Sequence, residues 1–531
     1  MPSSPTEGHR GWGRARGAVT SHYWRLNAGD GALVSLCNIT HGDEARELAG
    51  EPGRCPVCRE GLRRASIVRR FLEAHIHLDA EAGGRLLVVE PWYWWNVILP
   101  LYGTLEPDVA NGGLRRVYTK ALIGVPRWHL KSVSAAALAL YHMALEPMVG
   151  TEAYAVATSL PQAGAVFKKA RRMVRSDELL SRLFYSPKTV IECRETGAIF
   201  KALPHDADTA QGFHPQFAAI DEIHVHKNRD MVDAMVSGSV GFTQPMSLCI
   251  TTAGAERKGV WWDLRKDWAQ DPGTYIYWCG AADDDDPTDP VVWRRANPAS
   301  WITDEMLLRQ FRAMPLASFM RYHLNLAPKR GQSKVFAPEL WAACDARAVI
   351  DPKLPCIVAT DASLRRDHTA VVLDQVDADK CHNLLCFTFT AEEDDSIMSA
   401  IDHDEVGNLL RDLAAGYDLR RAPCDRAYFV RTMRELLQEG LPIEEFPQSN
   451  QNMARACQRL YDAVAEGRVR HGGDPELTDH VLNAAVKETP FGWRITKPAD
   501  GEHVDAAIAA AMAVDIAEAE AEQTAPGAVV G

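Results

Sequence analysis

FAAIDEIH, residues 217–224, is a short apolar run that closes on two adjacent carboxylates, Asp221 and Glu222. A strand buried on both faces of a parallel sheet reads as a continuous hydrophobic run, and α/β sheets bind ligands at the carboxyl ends of their strands. The stretch therefore predicts a buried parallel strand that presents both acids at a ligand-binding edge. One acid there can hold Mg²⁺ on a nucleotide while its neighbour polarises the attacking water. The same residues also fit a core strand followed by a helix start whose dipole favours acids. The flanking segments decide between the two.

Between residues 117 and 254, short apolar runs alternate with amphipathic stretches, the pattern of βαβ units around a parallel sheet. Strands are expected at 121–125, 153–158, 217–220 and 248–251. An Ala- and Leu-rich helix is expected at 132–145, and another at 161–175 with Pro161 at its first position. Upstream of the acid pair, IGVPRWHLKSVSAAAL places Lys131 and Ser132 between a strand and a helix. A phosphate-binding loop needs a Lys on the β/γ oxygens and a Ser or Thr hydroxyl on Mg²⁺ at a helix N-terminus. Its usual glycines would stand at 125 and 130, where this chain has Val125 and Leu130. The order strand, Lys-Ser, helix, strand, helix, strand, Asp-Glu, strand, Thr-Thr is nonetheless that of a P-loop motor core. In such a core Asp221 holds Mg²⁺, Glu222 orients water for attack on the γ-phosphate, and Thr251 and Thr252 couple phosphate loss to motion.

Composition sets wider bounds. At 531 residues the chain is long enough for two domains, and a net charge of −13 argues against a generally basic DNA binder, so any nucleic-acid contact must be local. No uninterrupted apolar run spans a membrane, since 86–102 is broken by Glu90, Pro91, Asn96 and Pro100. The N-terminal residues lack the apolar stretch of a secretory signal. Twelve cysteines without a regular framework suit reduced thiols in a cytosol. Cys37, His41, Cys55 and Cys58 could form a tetrahedral Zn²⁺ site, or remain unligated thiols. Four consecutive acids at 283–286 read as a solvated loop rather than a metal site. Gly, Pro and Lys mark 326–338 as a linker.

Beyond it, alternating segments at 356–362, 369–375 and 383–390 are spaced like an antiparallel meander, and helices follow at 432–439, 452–466 and 504–521, an α+β layout. Asp361 closes the first of these strands and Asp367 precedes the next. Asp425 lies between two helices, and Asp505 falls in the first turn of the last helix. Cutting DNA with two metals needs carboxylates drawn from distant parts of the chain. For Asp505 the competing reading is a helix cap.

These motifs resemble the large terminase subunits of tailed double-stranded DNA phages. Pro126-Arg127-Trp128-His129-Leu130-Lys131-Ser132 fits their P-R-x-x-x-K-[ST] phosphate loop. Asp221 to His224 fits DE-x-H, and Thr251 to Gly254 fits T-T-A-G. Val89-Glu90-Pro91-Trp92-Tyr93 looks like the adenine-side motif, with Tyr93 in place of the usual Gln. In the second half, Asp361 with Ser363 and Thr369, Asp425 and Asp505 match the family's three nuclease acids, with Asp367 and His503 as auxiliary candidates. The stretch 468–475 and Asp479-His480 look like the family's region before the third acid. The resemblance covers about 86–518 and leaves 1–70 outside it.

By this resemblance the fold is α/β, a P-loop (RecA-like ASCE) ATPase domain at 71–330. A linker at 331–340, an RNase H-like α+β nuclease domain at 341–521 and a tail at 522–531 follow; residues 1–70 form an arm or small module. The implied function is ATP-driven translocation of double-stranded DNA into a procapsid and endonucleolytic cutting of concatemers. Arg127 would contact the γ-phosphate, and Asp361, Asp425 and Asp505 would hold two Mg²⁺ or Mn²⁺. Implied partners are duplex DNA, the portal protein, a small terminase subunit and further copies of the chain in a ring of five. The implied location is the host cytoplasm and, transiently, the portal vertex, with the mature virion excluded. Two rival readings are a helicase or recombination nuclease, and a degenerate ATPase retained as a portal adaptor.

Overall fold

The computed structural model describes residues 11–15, 22–26, 33–35, 45–47, 56–78, 84–146, 150–158, 160–204, 212–329, 333–362, 368–390, 401–426, 429–498 and 502–524. The chain divides into two compact units: Met1–Asp304 with Arg321–Ala327, and Glu305–Met320 with Pro328–Gly531.

The first unit is built on an eight-stranded sheet. In chain order its strands are β1 (Lys120–Gly124), β2 (Glu152–Ala157), β3 (Phe184–Tyr185), β4 (Ile191–Cys193), β5 (Ile199–Pro204), β6 (Pro215–Asp221), β7 (Met246–Thr251) and β8 (Thr274–Trp278). Their order across the sheet is β8-β1-β7-β6-β2-β5-β4-β3. The six from β8 to β5 are parallel; β4 and β3 join antiparallel at the edge. All seven residues of β6 are buried, as a strand covered on both faces requires. Helix α1 (Lys131–Leu145) is buried from Ala135 to Met143, so its Ala-rich sequence fits a central helix in close contact with the sheet. Helix α2 (Leu160–Ser176) starts one residue earlier than expected, which places Pro161 second, still in the first turn where its missing N–H costs nothing. Near the N-terminus four short strands, Gly11–Ala15, His22–Leu26, Leu33–Ser35 and Ala45–Glu47, pair antiparallel. Of the suggested zinc ligands, Cys37, His41 and Cys55 lie outside the described residues, and Cys58 is buried in the helix Pro56–His75.

The acidic loop at 283–286 is tied down by protein partners. Arg257 donates to both oxygens of Asp283, Arg295 pairs with Asp285, and Asp286 accepts from the Thr288 amide at 2.8 Å. Asp289 then caps the helix Pro290–Ala296.

The second unit holds a six-stranded sheet: β9 (Pro355–Asp361), β10 (Thr369–Val376), β11 (His382–Phe389), β12 (Asp418–Cys424), β13 (Ile443–Glu445) and β14 (Val469–Arg470), in the order β13-β12-β9-β10-β11-β14. β9, β10 and β11 form the expected antiparallel meander. The strands-then-helices layout is corrected by β12, which follows the helix His403–Gly416 and pairs parallel with β9. Its sequence, DLRRAPC, hides a strand: two arginines and a proline erase the apolar alternation, and only its last three residues are buried. Asp425 therefore follows a strand, not a helix. Helix α3 (Asn450–Ala465) packs against α4 (Asp505–Thr524), and α4 also covers β9 and β10. From Asp505 to Ala517, α4 is buried on nearly every side, which explains why Ala rather than Leu dominates it. No helix among the described residues is long and apolar enough to cross a membrane.

Candidate functional site

The loop between β1 and α1 sits at the carboxyl edge of the parallel sheet. Two of its residues, Trp128 (φ 70°) and Leu130 (φ 54°), take the left-handed backbone that glycine normally supplies, so the turn is made without glycine at a cost of about 1–2 kcal/mol per residue. Val125, at the other departure from the usual glycines, is buried and its amide donates to the Thr251 carbonyl at 3.2 Å. Pro126 is buried beside it. The Lys131 ammonium folds back on the carbonyls of Val125 and Pro126, at 3.2 and 3.0 Å. Burial lowers its pKa, opposed by the charges of Glu222 and Asp221.

The Ser132 hydroxyl donates to Asp221 Oδ2 at 2.8 Å and so ties the first turn of α1 to the end of β6. Asp221 is pushed up to about 6, first by burial and then by the adjacent Glu222 charge. Glu222 itself adopts φ 51°, which turns its side chain out of the strand direction. Burial would raise its carboxyl, but His224, Lys131 and Arg127 outweigh that and hold it below the usual range. His224 Nδ1 lies 3.1 Å from Glu222 Oε2 and 3.1 Å from Thr251 Oγ1. Thr251 in turn donates to the Thr252 carbonyl at 2.7 Å. The acid pair and the two threonines are thus joined through His224.

Arg127 is exposed, with its guanidinium 3.3 Å above the centre of the Tyr322 ring, and its amide donates to the Tyr322 carbonyl at 2.8 Å. Sequence reading missed this neighbour and two others on the same segment. Arg321 Nε donates to the Ala253 carbonyl at 3.1 Å, and Asn325 accepts from the Ala253 amide at 2.7 Å. RYHLNLAP, residues 321–328, offered only a polar stretch before a linker, with no spacing that marks it. His129 is buried, its ring 5.5 Å from that of Trp92, and burial lowers its pKa to about 4. The Trp128 carbonyl accepts from Trp301 Nε1 at 2.9 Å. Trp92 donates to Glu90 at 3.0 Å, and burial pushes the Tyr93 hydroxyl, hydrogen-bonded to Ser134 of α1, up to about 12. Tyr93 is thereby engaged with α1, where a nucleotide-facing Gln was the family's pattern.

In the second unit, Asp361 closes β9 and is buried, and the Asp425 amide donates to the Thr360 carbonyl at 3.1 Å. Asp505 opens α4, also buried, with its Oδ2 lacking a hydrogen-bond partner. Burial pushes Asp361 up to about 8, helped by the charges of Asp505 and Asp425, while Gln448, donating at 2.7 Å, and Arg494 pull the other way. Asp505 and Asp425 each stand near enough to Asp361 to repel its charge. Among the described residues, no group of three or more His, Cys, Asp or Glu side chains is placed to hold a metal ion. Ser363 and Asp367 lie outside the described residues.

Three imidazoles flank Asp505. His368 and His503 stack at 3.8 Å, His480 Nε2 lies 3.2 Å from His368 Nδ1, and His480 Nδ1 accepts from the Ala506 amide at 2.9 Å. His480 and His503 were singled out from the sequence; His368, beside Asp367 before β10, was not, and neither was Gln448. A lone Gln in FPQSN carries no motif that could have found it.

Two family models match the chain: "Terminase large subunit, ATPase domain" over residues 108–270 and "Terminase large subunit, endonuclease domain" over residues 390–521. The first span includes Lys131, Glu222 and Thr251; the second includes Asp425 and Asp505 but begins after Asp361. The large terminase subunit of Enterobacteria phage HK97 is 24% identical over 443 residues, 75% of this chain and 87% of that protein. Protein YmfN of Escherichia coli K12 is 25% identical over 353 residues, 57% of this chain and 77% of that protein. The crystal structure of the HK97 large terminase is matched at 22% identity over 85% of this chain and 99% of its own, with a TM-score of 0.42. The large terminase of a thermophilic bacteriophage is matched at 12% identity over 75% of this chain and 93% of its own, with a TM-score of 0.47.

Proposed function

Because the chain belongs to the large terminase subunit family, which joins an ATPase domain to an endonuclease domain, we propose that it drives duplex DNA into a procapsid by ATP hydrolysis and cuts concatemers. In this reading the first unit is a P-loop, RecA-like ATPase and the second an RNase H-like nuclease. The observation that carries it is the Ser132–Asp221 hydrogen bond, 2.8 Å, at a helix N-terminus beside Lys131. It joins the two residues that a nucleotide-bound cation needs, at the one edge where Glu222, Thr251 and Arg127 also gather. Mg²⁺ held by Ser132 and Asp221 would supply charge neutralisation at the phosphate oxygens. Lys131, now on two backbone carbonyls, exchanges them for the β/γ oxygens. Glu222, ionised and outside the strand line, orients the water and accepts its proton. His224 relays the change at Glu222 to Thr251, and Arg321 and Asn325 hold the Thr-Thr-Ala-Gly turn from the other side. Arg127 leaves Tyr322 to meet the γ-phosphate.

At the second site the Asp505 Oδ2, which among the described residues accepts no hydrogen bond and has only His503 Nδ1 at 3.9 Å, and the repulsion of Asp361 by Asp425 fit a cation-binding acid set better than a self-sufficient network. Two Mg²⁺ or Mn²⁺ held by Asp361, Asp425 and Asp505 would clamp the attacking and leaving oxygens of the scissile phosphate. Gln448 fixes the Asp361 carboxylate, and the His368–His503 stack supports the start of α4. The partners in this reading are the portal protein, a small terminase subunit and further copies in a ring, five in number. DNA-stimulated ATP hydrolysis by wild type and Glu222→Gln tests it. Loss of one general base predicts a fall of roughly 10²–10⁴-fold with DNA cutting retained; equal background rates in both proteins would remove the motor reading.

A further inference from the structure

A chain of net charge −13 that handles a polyanion must concentrate its positive charge somewhere. One segment does so: between Leu160 and Pro204 there are nine Lys or Arg against four Asp or Glu. Most of them stand on α2, whose buried face is Ala163, Val166, Phe167, Ala170, Met173 and Val174. Lys168, Arg172 and Arg175 are exposed on the opposite stripe, with Arg171 half-buried at its margin, at the i, i+3, i+4, i+7 spacing of one helix face. Lys188 and Thr189, from the turn between β3 and β4, stand across from them. Together they border a groove of about 630 Å³ floored by Phe167 and Ala202. Arg171 and Arg175 reach the carbonyls of Pro187 and Ser186 only at 3.5 and 3.4 Å, and Lys168, Arg171, Arg175 and Lys188 make no ion pair with a described carboxylate. Four cations that pair with no described carboxylate, set around an open groove, predict an anionic occupant.

We infer that this groove is where the first unit grips the phosphate backbone of duplex DNA, an inference that rests on the packaging reading above. Lys168 and Arg175 are seven residues apart, about 10 Å along the helix, which matches roughly three phosphates of one strand. The groove also lies to one side of the nucleotide site. It is bordered by α2, β5 and the turn between β3 and β4 at one edge of the sheet, and β2 stands between β5 and the strand that carries Asp221. DNA can occupy it without touching Lys131 or Glu222. Contacts of this kind read charge and not base sequence, as a translocating motor requires.

The test uses the full chain and a mixed-sequence duplex, with binding followed by fluorescence anisotropy across a KCl series. Lys168→Gln/Arg171→Gln/Arg175→Gln should lower the slope of log K against log [KCl] by about 2–3, near 0.9 per lost phosphate contact. Affinity at low salt should fall at least about tenfold, and DNA stimulation of ATP hydrolysis should fall with it, while ATP hydrolysis without DNA stays at the wild-type rate. Arg171→Lys/Arg175→Lys, which keeps the charge, should keep the wild-type slope. An unchanged slope in the triple variant overturns the inference. So does a triple variant that keeps its DNA slope but loses self-association in sedimentation, because the groove would then take an acidic face of a second copy. A wild type that neither binds DNA nor responds to it in ATP hydrolysis fails the packaging reading itself; a responsive wild type with an equally responsive triple variant fails only the groove.

Discussion

Asp221 and Asp361 both end a buried strand in the middle of a sheet, yet burial and its surroundings push the first to about 6 and the second to about 8. Around Asp221 the chain supplies its own compensation: the Ser132 hydroxyl and Lys131 on one side, with Arg127 and His224 acting on Glu222. Around Asp361 the nearest charges are Asp505 and Asp425, both repulsive, against a neutral amide from Gln448 and the guanidinium of Arg494. A buried carboxylate must be answered by charge or hydrogen bonds, or it takes up a proton. The chain compensates the first site better than the second, where the charge at Asp361 goes largely unanswered. In the proposed reading the difference suits a site that binds and releases nucleotide each cycle against one that acts only when cations are bound.

The largest effect that can break this contrast is at Asp361. Asp361→Asn removes one member of the acid set without changing its shape, and metal-dependent plasmid cutting should drop below detection while ATP hydrolysis stays within about twofold of wild type. This is the mirror image of Glu222→Gln. Cutting that survives in Asp361→Asn would show that the acids of the second unit are not the cutting site.

A pH experiment sharpens the contrast further. Both carboxyls have folded-state pKa values above their unfolded ones, so each contributes stability that is present at low pH and is lost as pH rises through the folded value. The Asp221 contribution is spent by about pH 6, whereas that of Asp361 continues to fall until about pH 8. In EDTA, Asp361 should therefore contribute a decline in the stability of the second unit of about 1.4 kcal/mol per pH unit between these two values. His382, which burial would lower but Asp374 and Glu518 hold up at about 9, adds a decline of its own above about pH 6.5. Thermal melts of Asp361→Asn should lose the Asp361 share and keep that of His382, and Asp221→Asn should keep both. Excess Mg²⁺ should remove the Asp361 share from the wild-type profile as well, because a bound cation displaces the proton. A smaller effect is expected at Gln448, which holds Asp361 at 2.7 Å. Gln448→Leu should weaken Mn²⁺ binding, measured by calorimetry, by about 10–100-fold without abolishing cutting at saturating metal.

How much of this was legible in the sequence differs between the sites for the same physical reason. The nucleotide edge is assembled from loops that follow strands in a regular βαβ rhythm, so Lys131, Ser132, Asp221 and Thr251 could be placed by order alone. Their strands were found within two residues, because both-face burial writes itself as an apolar run. The acids of the second unit come from strands and a helix separated by long intervals, and β12, with Arg420, Arg421 and Pro423, carries no strand periodicity. Asp425, singled out among the candidate acids, is placed by residue pattern between helices, which the structure corrects; the resemblance puts it after a strand, as β12 does. Neighbours that act through geometry alone, Tyr322 on Arg127, Asn325 on Ala253 and Gln448 on Asp361, leave no local pattern at all.

The smallest expected effect concerns the residue whose identity most argued against a phosphate loop. Leu130 stands where glycine is usual, and its φ of 54° is the backbone that glycine would provide. Left-handed backbone costs a leucine about 1–2 kcal/mol, and Leu130→Gly recovers that. Against it stand the greater unfolded-state freedom of glycine, about 0.5–1 kcal/mol, and the lost packing of a half-buried side chain. The terms nearly cancel, so Leu130→Gly should change stability by no more than about 1 kcal/mol and leave the KM for ATP within about threefold. Val125→Gly is the opposite case: Val125 is 1% exposed with no left-handed backbone to relieve, and the change should cost about 2 kcal/mol. If Leu130→Gly instead abolishes ATP hydrolysis while the protein still melts like wild type, the leucine side chain itself contacts nucleotide, and the loop works by packing where glycine-rich loops work by backbone alone.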